Sequence, residues 1–170
     1  MIHSHERGDE RGYLLETYRT TEFAAAGISL PFVQENHSSS RQGVLRGLHY
    51  QVRHAQGKLV RAARGAIFDV AVDLRRSSPT FAGWVGIALS AENHLQLWIP
   101  PGFAHGFFVM SESAEVIYKM TDYYAQEFER TLRWDDPRLG VAWPLPKGGL
   151  PLLSPRDAAG QLLDEADLFD

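Results

Sequence analysis

The chain has 170 residues, 44% of them hydrophobic and 22% charged, a balance typical of a folded globular protein and not of a disordered one. Its net charge of −4 argues against a nucleic acid or a membrane surface as partner. It contains no cysteine, which excludes disulfides, thiolate catalysis and cysteine-ligated zinc.

The N-terminal segment MIHSHERGDERG is polar and has no apolar stretch of signal-peptide type, and no later run approaches membrane-spanning length. A cytoplasmic location is therefore the expectation. Lysine occurs only at positions 58, 119 and 147, so 14 of the 17 cationic residues are arginine. Arginine binds phosphate through a planar fork, so local phosphate sites remain open despite the acidic total.

In chain order, residues 15–28 predict a short helix that ends at Gly27, and residue 41 begins a series of short strands. The strand patterns cover residues 41–51, 60–74, 84–90, 94–100, 102–110, 114–120 and 130–134, with turn-forming residues between them. A weak amphipathic helix is predicted over 156–169. Many short strands and little helical period predict one all-β domain over residues 1–170, a jelly-roll sandwich or barrel with short peripheral helices.

The strand RQGVLRGLHYQ (41–51) carries Arg46 and His49 within an apolar run. Residues three apart in a regular strand point to opposite faces of the sheet. If both side chains line one pocket, the strand must be irregular between them, and Gly47 is the residue that permits a bulge. We therefore predict irregular pairing at Gly47, with both side chains turned towards a pocket.

Five of the seven histidines (His3, His5, His37, His54 and His94) lie in polar segments, turns or loops, where a solvated surface is the simpler interpretation. His49 and His105 instead lie in apolar strands, either as buried histidines with satisfied hydrogen bonds or as functional groups. Gly43, His49 and the run Pro100-x-Gly102-x-x-His105 resemble the two half-motifs of cupin metal sites. However, Gln51 stands where that pattern has a second histidine, and two histidines are too few ligands. We expect a cupin-like scaffold without a metal.

Sequence motifs for nucleotide cofactors are also missing, so any chemistry rests on polar side chains of the β scaffold. A neutral imidazole is a good base near neutral pH, an ammonium such as Lys58 stabilises an oxyanion, and a phenol such as Tyr118 returns a proton. Together these roles describe proton abstraction next to a carbonyl. Lys58 as a surface charge and Tyr118 as an interface aromatic are the simpler alternatives.

The chain resembles the dTDP-4-dehydrorhamnose 3,5-epimerase family, cofactor-free enzymes of nucleotide-sugar biosynthesis. The resemblance runs from about Gly8 to Asp157 and is carried, in family order, by GDERG, FVQENHS, GVLRGLHYQ, AQGKLVR, FDVAVDLR, SPTF, LSAEN, LWIPPGFAHGF, YKMTDYY and LLSPRD. It implies that His49 is the base that removes the protons at C3 and C5 of a 4-keto sugar and that Asp157 raises its basicity. It also implies that Tyr118 is the acid on the opposite face and that Lys58 stabilises the enolate.

The same resemblance implies a set of substrate-binding residues and a shared site. Arg46 and His105 are expected along the sugar and diphosphate, Tyr124 against thymine, and further contacts from Arg11, Glu16, Gln34, Glu35, Asn36, Glu129 and Arg156. Arg156 stands where the family usually has lysine. Some N-terminal contacts of the family reach the neighbouring subunit, which implies a homodimer. Family members usually begin with a further strand before GDERG, so we expect a reduced N-terminal edge.

Two other functions stay open at this point. A 3- or 5-mono-epimerase of a related dTDP-4-keto-6-deoxy sugar would use the same residues, because a small reorientation of Tyr118 separates the two steps. A non-catalytic module that binds nucleotide sugars would also keep the pocket. It would not need an acid and a base on opposite faces, so the set of His49, Asp157, Tyr118 and Lys58 disfavours it.

Overall fold

Two five-stranded sheets form the framework of the molecule, and every pairing between its named strands is antiparallel. The computed structural model describes residues 1–3 and 6–170. Its strands are β1 (Ile2–His3), β2 (Glu6–Asp9), β3 (Gly12–Leu15), β4 (Gln34–Arg41), β5 (Leu45–Gln51), β6 (Lys58–Arg64), β7 (Ala66–Asp73), β8 (Trp84–Ser90), β9 (Leu95–Ile99), β10 (Phe103–Val109), β11 (Ser113–Met120) and β12 (Glu129–Thr131). The helices are α1 (Thr20–Ala25) and α2 (Pro155–Ala158), with 3-10 turns at Gln126–Phe128 and Leu163–Glu165.

The first sheet has the strand order β1-β9-β6-β11-β4, the second has the order β12-β5-β10-β7-β8, and β2 and β3 form a separate hairpin. The predicted all-β, cupin-like fold with short peripheral helices is confirmed. The predicted strand over 60–74 is two strands, because Gly65 has a φ of +68° and turns the chain between β6 and β7. At one edge of the first sheet, Ile2 and His3 of β1 pair with Gln96 and Leu95 of β9.

The two predicted helices are shorter than expected. The first covers only Thr20–Ala25, and Gly27 follows it with a φ of +86°, which is the left-handed conformation that ends helices. The predicted helix over 156–169 is wrong for most of its length. After Pro155–Ala158 the chain is irregular apart from the 3-10 turn at Leu163–Glu165. Gln161 bridges to Leu132, and Phe169, next to the last residue, bridges to Arg75. These long-range backbone contacts override the weak local helical pattern.

Strand β7 is buried on both faces. Ile67 and Ala71 belong to the cluster between the sheets, whereas Val70 and Val72 belong to a second cluster beneath the C-terminal segment. Asp69 and Asp73 alternate with apolar residues along this strand, a pattern typical of one solvated face. The structure buries that face too, and Asp69 is fully enclosed. A buried carboxylate needs partners.

The predicted irregularity at Gly47 is confirmed. His49 of β5 is opposite His105 of β10, but Arg46 is opposite Phe107, so two residues of β5 face the single Gly106 of β10. A Cβ atom on Gly47 would lie 2.5 Å from the Cα atom of Gly106, and the φ of Gly47 is +126°. Only glycine fits this bulge. It turns Arg46 and His49 towards the same cavity. In the described part of the chain, no helix has the length and apolar character to cross a membrane.

Candidate active site

A cavity of about 270 Å³ opens between the two sheets. The first sheet supplies polar side chains from β4, β6 and β11, and the second supplies them from β5 and β10. The loop after β11, strand β12 and helix α2 complete the rim. The lining residues are Gln34, Asn36, Arg46, His49, Gln56, Lys58, His105, Phe107, Tyr118, Met120, Tyr124, Glu129 and Arg156. Substrate in this cavity would therefore be held between side chains of opposite sheets.

His49 reaches the cavity from β5 and is paired with Asp157 of α2, 108 residues later in the chain. The Nε2 atom of His49 lies 2.5 Å from Oδ1 of Asp157. Asp157 is buried, and the same oxygen also accepts a hydrogen bond from the backbone N–H of Gly47 at 3.3 Å. Its other oxygen, Oδ2, accepts the hydroxyl hydrogen of Ser154 at 2.6 Å. The carboxylate is thus fixed in place behind the imidazole.

The surroundings keep this pair in the state that a general base requires. Burial lowers the pKa of His49 below its ordinary value of 6.5, and nearby Lys58 acts in the same direction, although Asp157 opposes both. Burial alone would raise the pKa of Asp157, but the hydrogen bonds from His49, Ser154 and Gly47 together lower it. The carboxylate is ionised and the imidazole neutral near pH 7. Neutral imidazole with a fixed partner is ready to accept a proton.

Lys58 begins β6 on the opposite sheet and is buried. Its Nζ atom donates to the backbone oxygen of His49 at 3.4 Å, so the ammonium lies close to the strand that carries His49. Burial lowers its pKa to about 8, and attraction to Glu129 and Asp69 only partly compensates. The preceding Gly57 packs so closely under Trp98 that a Cβ atom would lie 2.4 Å from the indole ring. Lys58 is therefore a positioned cation that remains mostly protonated at neutral pH.

Tyr118 faces the cavity from β11, on the sheet opposite His49. Its hydroxyl oxygen accepts a hydrogen bond from the side-chain amide of Asn36 at 3.4 Å. Asn36 is directly opposite Tyr118 on β4, and its own amide oxygen accepts from Gln34 at 3.1 Å. The amide donates to the phenol, which leaves the phenolic hydrogen free to point to a ligand. An imidazole and a phenol that can exchange protons thus lie on facing sheets.

Comparison with known proteins agrees with this geometry. The sequence model of the dTDP-4-dehydrorhamnose 3,5-epimerase family matches residues 1–165. The chain belongs to this family. A dTDP-4-dehydrorhamnose 3,5-epimerase from Pseudomonas aeruginosa is 58% identical over 163 residues, which are 95% of this chain and 89% of that protein. One from Salmonella typhimurium is 55% identical over 96% of this chain and 89% of its own length.

A solved structure gives the same result for the fold. The dTDP-6-deoxy-D-glucose-3,5-epimerase of Legionella pneumophila, crystallised in complex with dTDP-4-keto-L-rhamnose, superimposes with a TM-score of 0.93 and 50% identity. The alignment covers 96% of this chain and 87% of that one. The 3,5-epimerase family therefore accounts for nearly the whole chain.

Positive and aromatic groups gather at the mouth of the cavity in this member of the epimerase family. Arg46 reaches across from β5 and donates to the hydroxyl of Ser40 at 3.0 Å. Arg156 is paired with Glu129, and Glu129 also accepts the hydroxyl hydrogen of Tyr124 at 2.7 Å. Two guanidinium groups beside a half-exposed phenol ring suit a ligand that combines phosphates with an aromatic base.

The residue that the sequence analysis missed is Asp69. Its Oδ1 atom lies 2.8 Å from Nε2 of His105, and both residues are buried. Because His105 is directly opposite His49, this 3,5-epimerase family member has two neighbouring histidine–aspartate pairs. The run FDVAVDL gave a signal, because it places Asp69 between apolar residues of a strand. Alternation alone did not distinguish a buried polar position from a solvated one.

Three of the predicted binding residues lie away from the cavity of their own chain. Arg11 is exposed on the β2–β3 hairpin and pairs with Asp9, Glu16 pairs with Arg19 at 2.5 Å, and Glu35 pairs with Lys119. Glu16 lines a second hollow, of about 440 Å³, beside α1. Gln51, which replaces a cupin ligand, donates to backbone oxygens of His54 and Tyr123 at 2.8 and 3.3 Å. Its amide is therefore committed to the loops beside the cavity.

Proposed function

We propose that the protein epimerises dTDP-4-dehydro-6-deoxy-D-glucose at C3 and C5 to give dTDP-4-dehydro-L-rhamnose, a step of dTDP-L-rhamnose biosynthesis. The observation that carries the proposal is the placement of a base and an acid on facing sheets, with a buried ammonium beside them. His49 with Asp157 supplies the base, Tyr118 the acid and Lys58 the cation. The family membership and the dTDP-4-keto-L-rhamnose in the Legionella relative support this substrate class.

The first half of the mechanism is proton removal. The C4 ketone acidifies the neighbouring C3–H and C5–H bonds, so one base near both carbons serves for both. His49 takes the proton on Nδ1, because its Nε2 atom is hydrogen-bonded to Asp157. The electrons of the broken C–H bond move to O4, where the Lys58 ammonium stabilises the enolate. A positioned base contributes about 10²–10⁴-fold to such a step.

The second half returns a proton on the opposite face of the ring. Tyr118 donates its phenolic hydrogen to the carbon, and the configuration at that carbon inverts. Tyr118 is then a phenolate and His49 an imidazolium, so each exchanges a proton with solvent before the next carbon reacts. Both carbons are expected to acquire one solvent hydrogen. The ketone provides the acidity, so the proposal assigns no part to a metal or a redox cofactor.

The mouth residues are assigned to the nucleotide. We assign binding of the diphosphate to Arg46 and Arg156. Contacts with the sugar ring are assigned to Arg46 and His105. The thymine is assigned to the exposed face of Tyr124, with Gln34 holding the backbone N–H of Tyr124 at 2.9 Å. Asn36 holds the hydroxyl group of Tyr118, the proposed acid. Glu129 holds the side chain of Arg156. Binding of the substrate would compete with Glu129 for Arg156.

The proposal includes a homodimer and a cytoplasmic location. Arg11, Glu16 and Glu35 lie away from the cavity of their own chain, and we assign them to nucleotide contacts that involve the partner subunit. The exposed Tyr13 and Leu14 on the same hairpin favour a partner there, because large exposed apolar side chains in a group mark interaction surfaces. A chain without cysteine gains nothing from an oxidising compartment, which fits the cytoplasm.

The proposed function is tested by incubating the protein with dTDP-4-keto-6-deoxy-glucose in D₂O and following the sugar by NMR. Deuterium at both C3 and C5, with inversion at both, is the expected result. Label and inversion at a single carbon would replace the proposal with a mono-epimerase. Tight binding of the nucleotide sugar without any exchange would replace it with a binding module.

A further inference from the structure

The hydroxyl group of Ser154 makes two hydrogen bonds to one residue, Asp157. Ser154 is the N-cap of α2, and its oxygen accepts from the backbone N–H of Asp157 at 3.1 Å. The same hydroxyl donates its hydrogen to Oδ2 of Asp157 at 2.6 Å. An ordinary N-cap needs only the first of these bonds. The second bond acts on the carboxylate itself.

This second bond decides which way the carboxylate faces. The terminal torsion of an aspartate side chain is soft, so the carboxylate turns easily unless both oxygens are held. Ser154 holds Oδ2, which leaves Oδ1 to accept from His49 at 2.5 Å and from the N–H of Gly47 at 3.3 Å. The three donors come from two separate elements, β5 and the start of α2.

We propose that Ser154 is a positioning residue that acts through Asp157 to keep His49 in the tautomer with hydrogen on Nε2. A neutral imidazole carries one ring hydrogen, and an ionised carboxylate accepts but does not donate. With Oδ1 fixed opposite Nε2, that hydrogen stays on Nε2 and Nδ1 keeps its lone pair for the substrate. Without Ser154 the carboxylate can turn, and the other tautomer, which lacks a free lone pair on Nδ1, becomes populated.

The position of Ser154 makes the proposal testable. The residue is exposed at the surface, so removing its hydroxyl leaves no buried cavity. Ser111 provides a matched control, because its hydroxyl also accepts a backbone N–H, from Ala66 at 2.8 Å, and donates at 2.7 Å, to the backbone oxygen of Ser113. Ser111 lies outside the lining of the cavity.

The test compares Ser154→Ala, Ser154→Thr and Ser111→Ala with the wild type, by epimerase kinetics and by ¹⁵N NMR of the histidine rings in the ligand-free protein. The His49 signals are assigned by their loss in His49→Gln. For Ser154→Ala we expect kcat to fall by about tenfold to a hundredfold with KM unchanged, as for a small misplacement of a reacting group. The Nδ1–H tautomer of His49 should appear in the spectrum. Ser154→Thr, which keeps the hydroxyl, should restore both readouts, and Ser111→Ala should change neither.

Two results would overturn the inference: a wild-type kcat in Ser154→Ala, or a reduced kcat with the Nε2–H tautomer fully retained, which would make the loss merely structural. The kinetic arm rests on the proposed function, whereas the NMR arm does not. If the wild type itself shows no epimerase activity, the proposed function fails and the His49 tautomer in Ser154→Ala still decides the role of Ser154.

Discussion

His49 and His105 are directly opposite each other on β5 and β10, and each has its Nε2 atom against a buried aspartate. The distances are 2.5 Å to Asp157 and 2.8 Å to Asp69. The two pairs differ in exposure, since the His49 side chain is 20% exposed and that of His105 only 7%. His49 therefore has the better access to a ligand, and it is the one that we assign as the base.

Replacing His49 by glutamine should remove the proton acceptor and keep the shape of the cavity. We expect deuterium exchange at both carbons to fall by about 10²–10⁴-fold, the usual contribution of a positioned base. Binding of dTDP, measured by calorimetry, should be nearly unchanged. His54→Gln is the control, because His54 is an exposed loop histidine paired with Asp122 at 3.2 Å. Exchange in His49→Gln as fast as in His54→Gln would assign the base elsewhere.

Tyr118→Phe should separate exchange from inversion. The variant lacks the acid on the first sheet but keeps His49, so a proton can still leave and return on the same face. We expect solvent deuterium to enter the sugar while inversion falls by about 10²-fold or more, the lower end for a general acid. NMR of the recovered sugar measures both quantities in one sample. Equal losses of exchange and inversion would show that Tyr118 is not an acid on a separate face.

The pH dependence of kcat/KM should be bell-shaped. The base must be neutral, and burial lowers the pKa of His49 below 6.5, so activity should fall only at acidic pH below that value. The cation must be protonated, and burial lowers the pKa of Lys58 to about 8, so activity should also fall as the pH rises through about 8. Lys58→Arg keeps its charge in this range. We expect a lower kcat/KM for this variant, without the fall in activity above pH 8. If the variant still loses activity near pH 8, that fall is due to the titration of another group.

Gly47→Ala should damage the bulge that turns Arg46 and His49 to one cavity. The added Cβ would lie 2.5 Å from the Cα atom of Gly106, so the backbone of β5 or of β10 must shift to make room. Gly12→Ala is the matched control, because Gly12 has nearly the same φ, +125°, and open space around it. We expect the free energy of unfolding, from urea titration, to fall by about 3 kcal/mol or more for Gly47→Ala and by about 1 kcal/mol for Gly12→Ala. Equal losses would mean that the contact with Gly106 contributes nothing.

Asp73 should make stability depend on acid pH. Its buried carboxylate accepts bidentate hydrogen bonds from Arg75 at 2.8 and 2.7 Å, with further bonds from Ser78 and Thr80. The bonds from Arg75 are the largest cause that lowers its pKa well below the usual range. Because the folded-state pKa lies below the unfolded value of about 3.9, this stability is present above that pH and is lost as the pH falls.

Asp73→Asn is therefore expected to cost about 3 kcal/mol of unfolding free energy at pH 7, because it removes a buried carboxylate that accepts several hydrogen bonds, and less at pH 3. Asp135→Asn breaks a similar bidentate pair, with Arg133, at the surface. This control should change stability by no more than the error of urea titration. A cost for Asp73→Asn that does not shrink in acid would contradict the role of the ionised carboxylate.

Sequence reasoning predicted most strands from β5 onwards, the scaffold and the irregularity at Gly47, because these depend on local alternation and on the conformational freedom of glycine. It did not predict β2, β3 or β4, and the polar run QENHSSSR of β4 has no apolar alternation to mark it. It did not predict that Asp69 is buried against His105, since alternation along a strand cannot tell whether a second layer covers the face. The pairing of His49 with Asp157 came from the family resemblance alone. A separation of 108 residues leaves no local signal. The C-terminal helix was overpredicted because its segment exchanges helical bonds for bonds to β12 and to the residues around Arg75.

The proposed base, His49, and the proposed acid, Tyr118, belong to different sheets, so the gap between them depends on how the sheets pack. Packed sheets lie about 10 Å apart, and the side chains between them set that spacing. Phe107 belongs both to the core between the sheets and to the wall of the cavity. The packing of the core between the sheets is therefore linked to whether the sugar carbon inverts. A substitution that widens the sandwich could leave every reacting group intact and still uncouple proton removal from proton return.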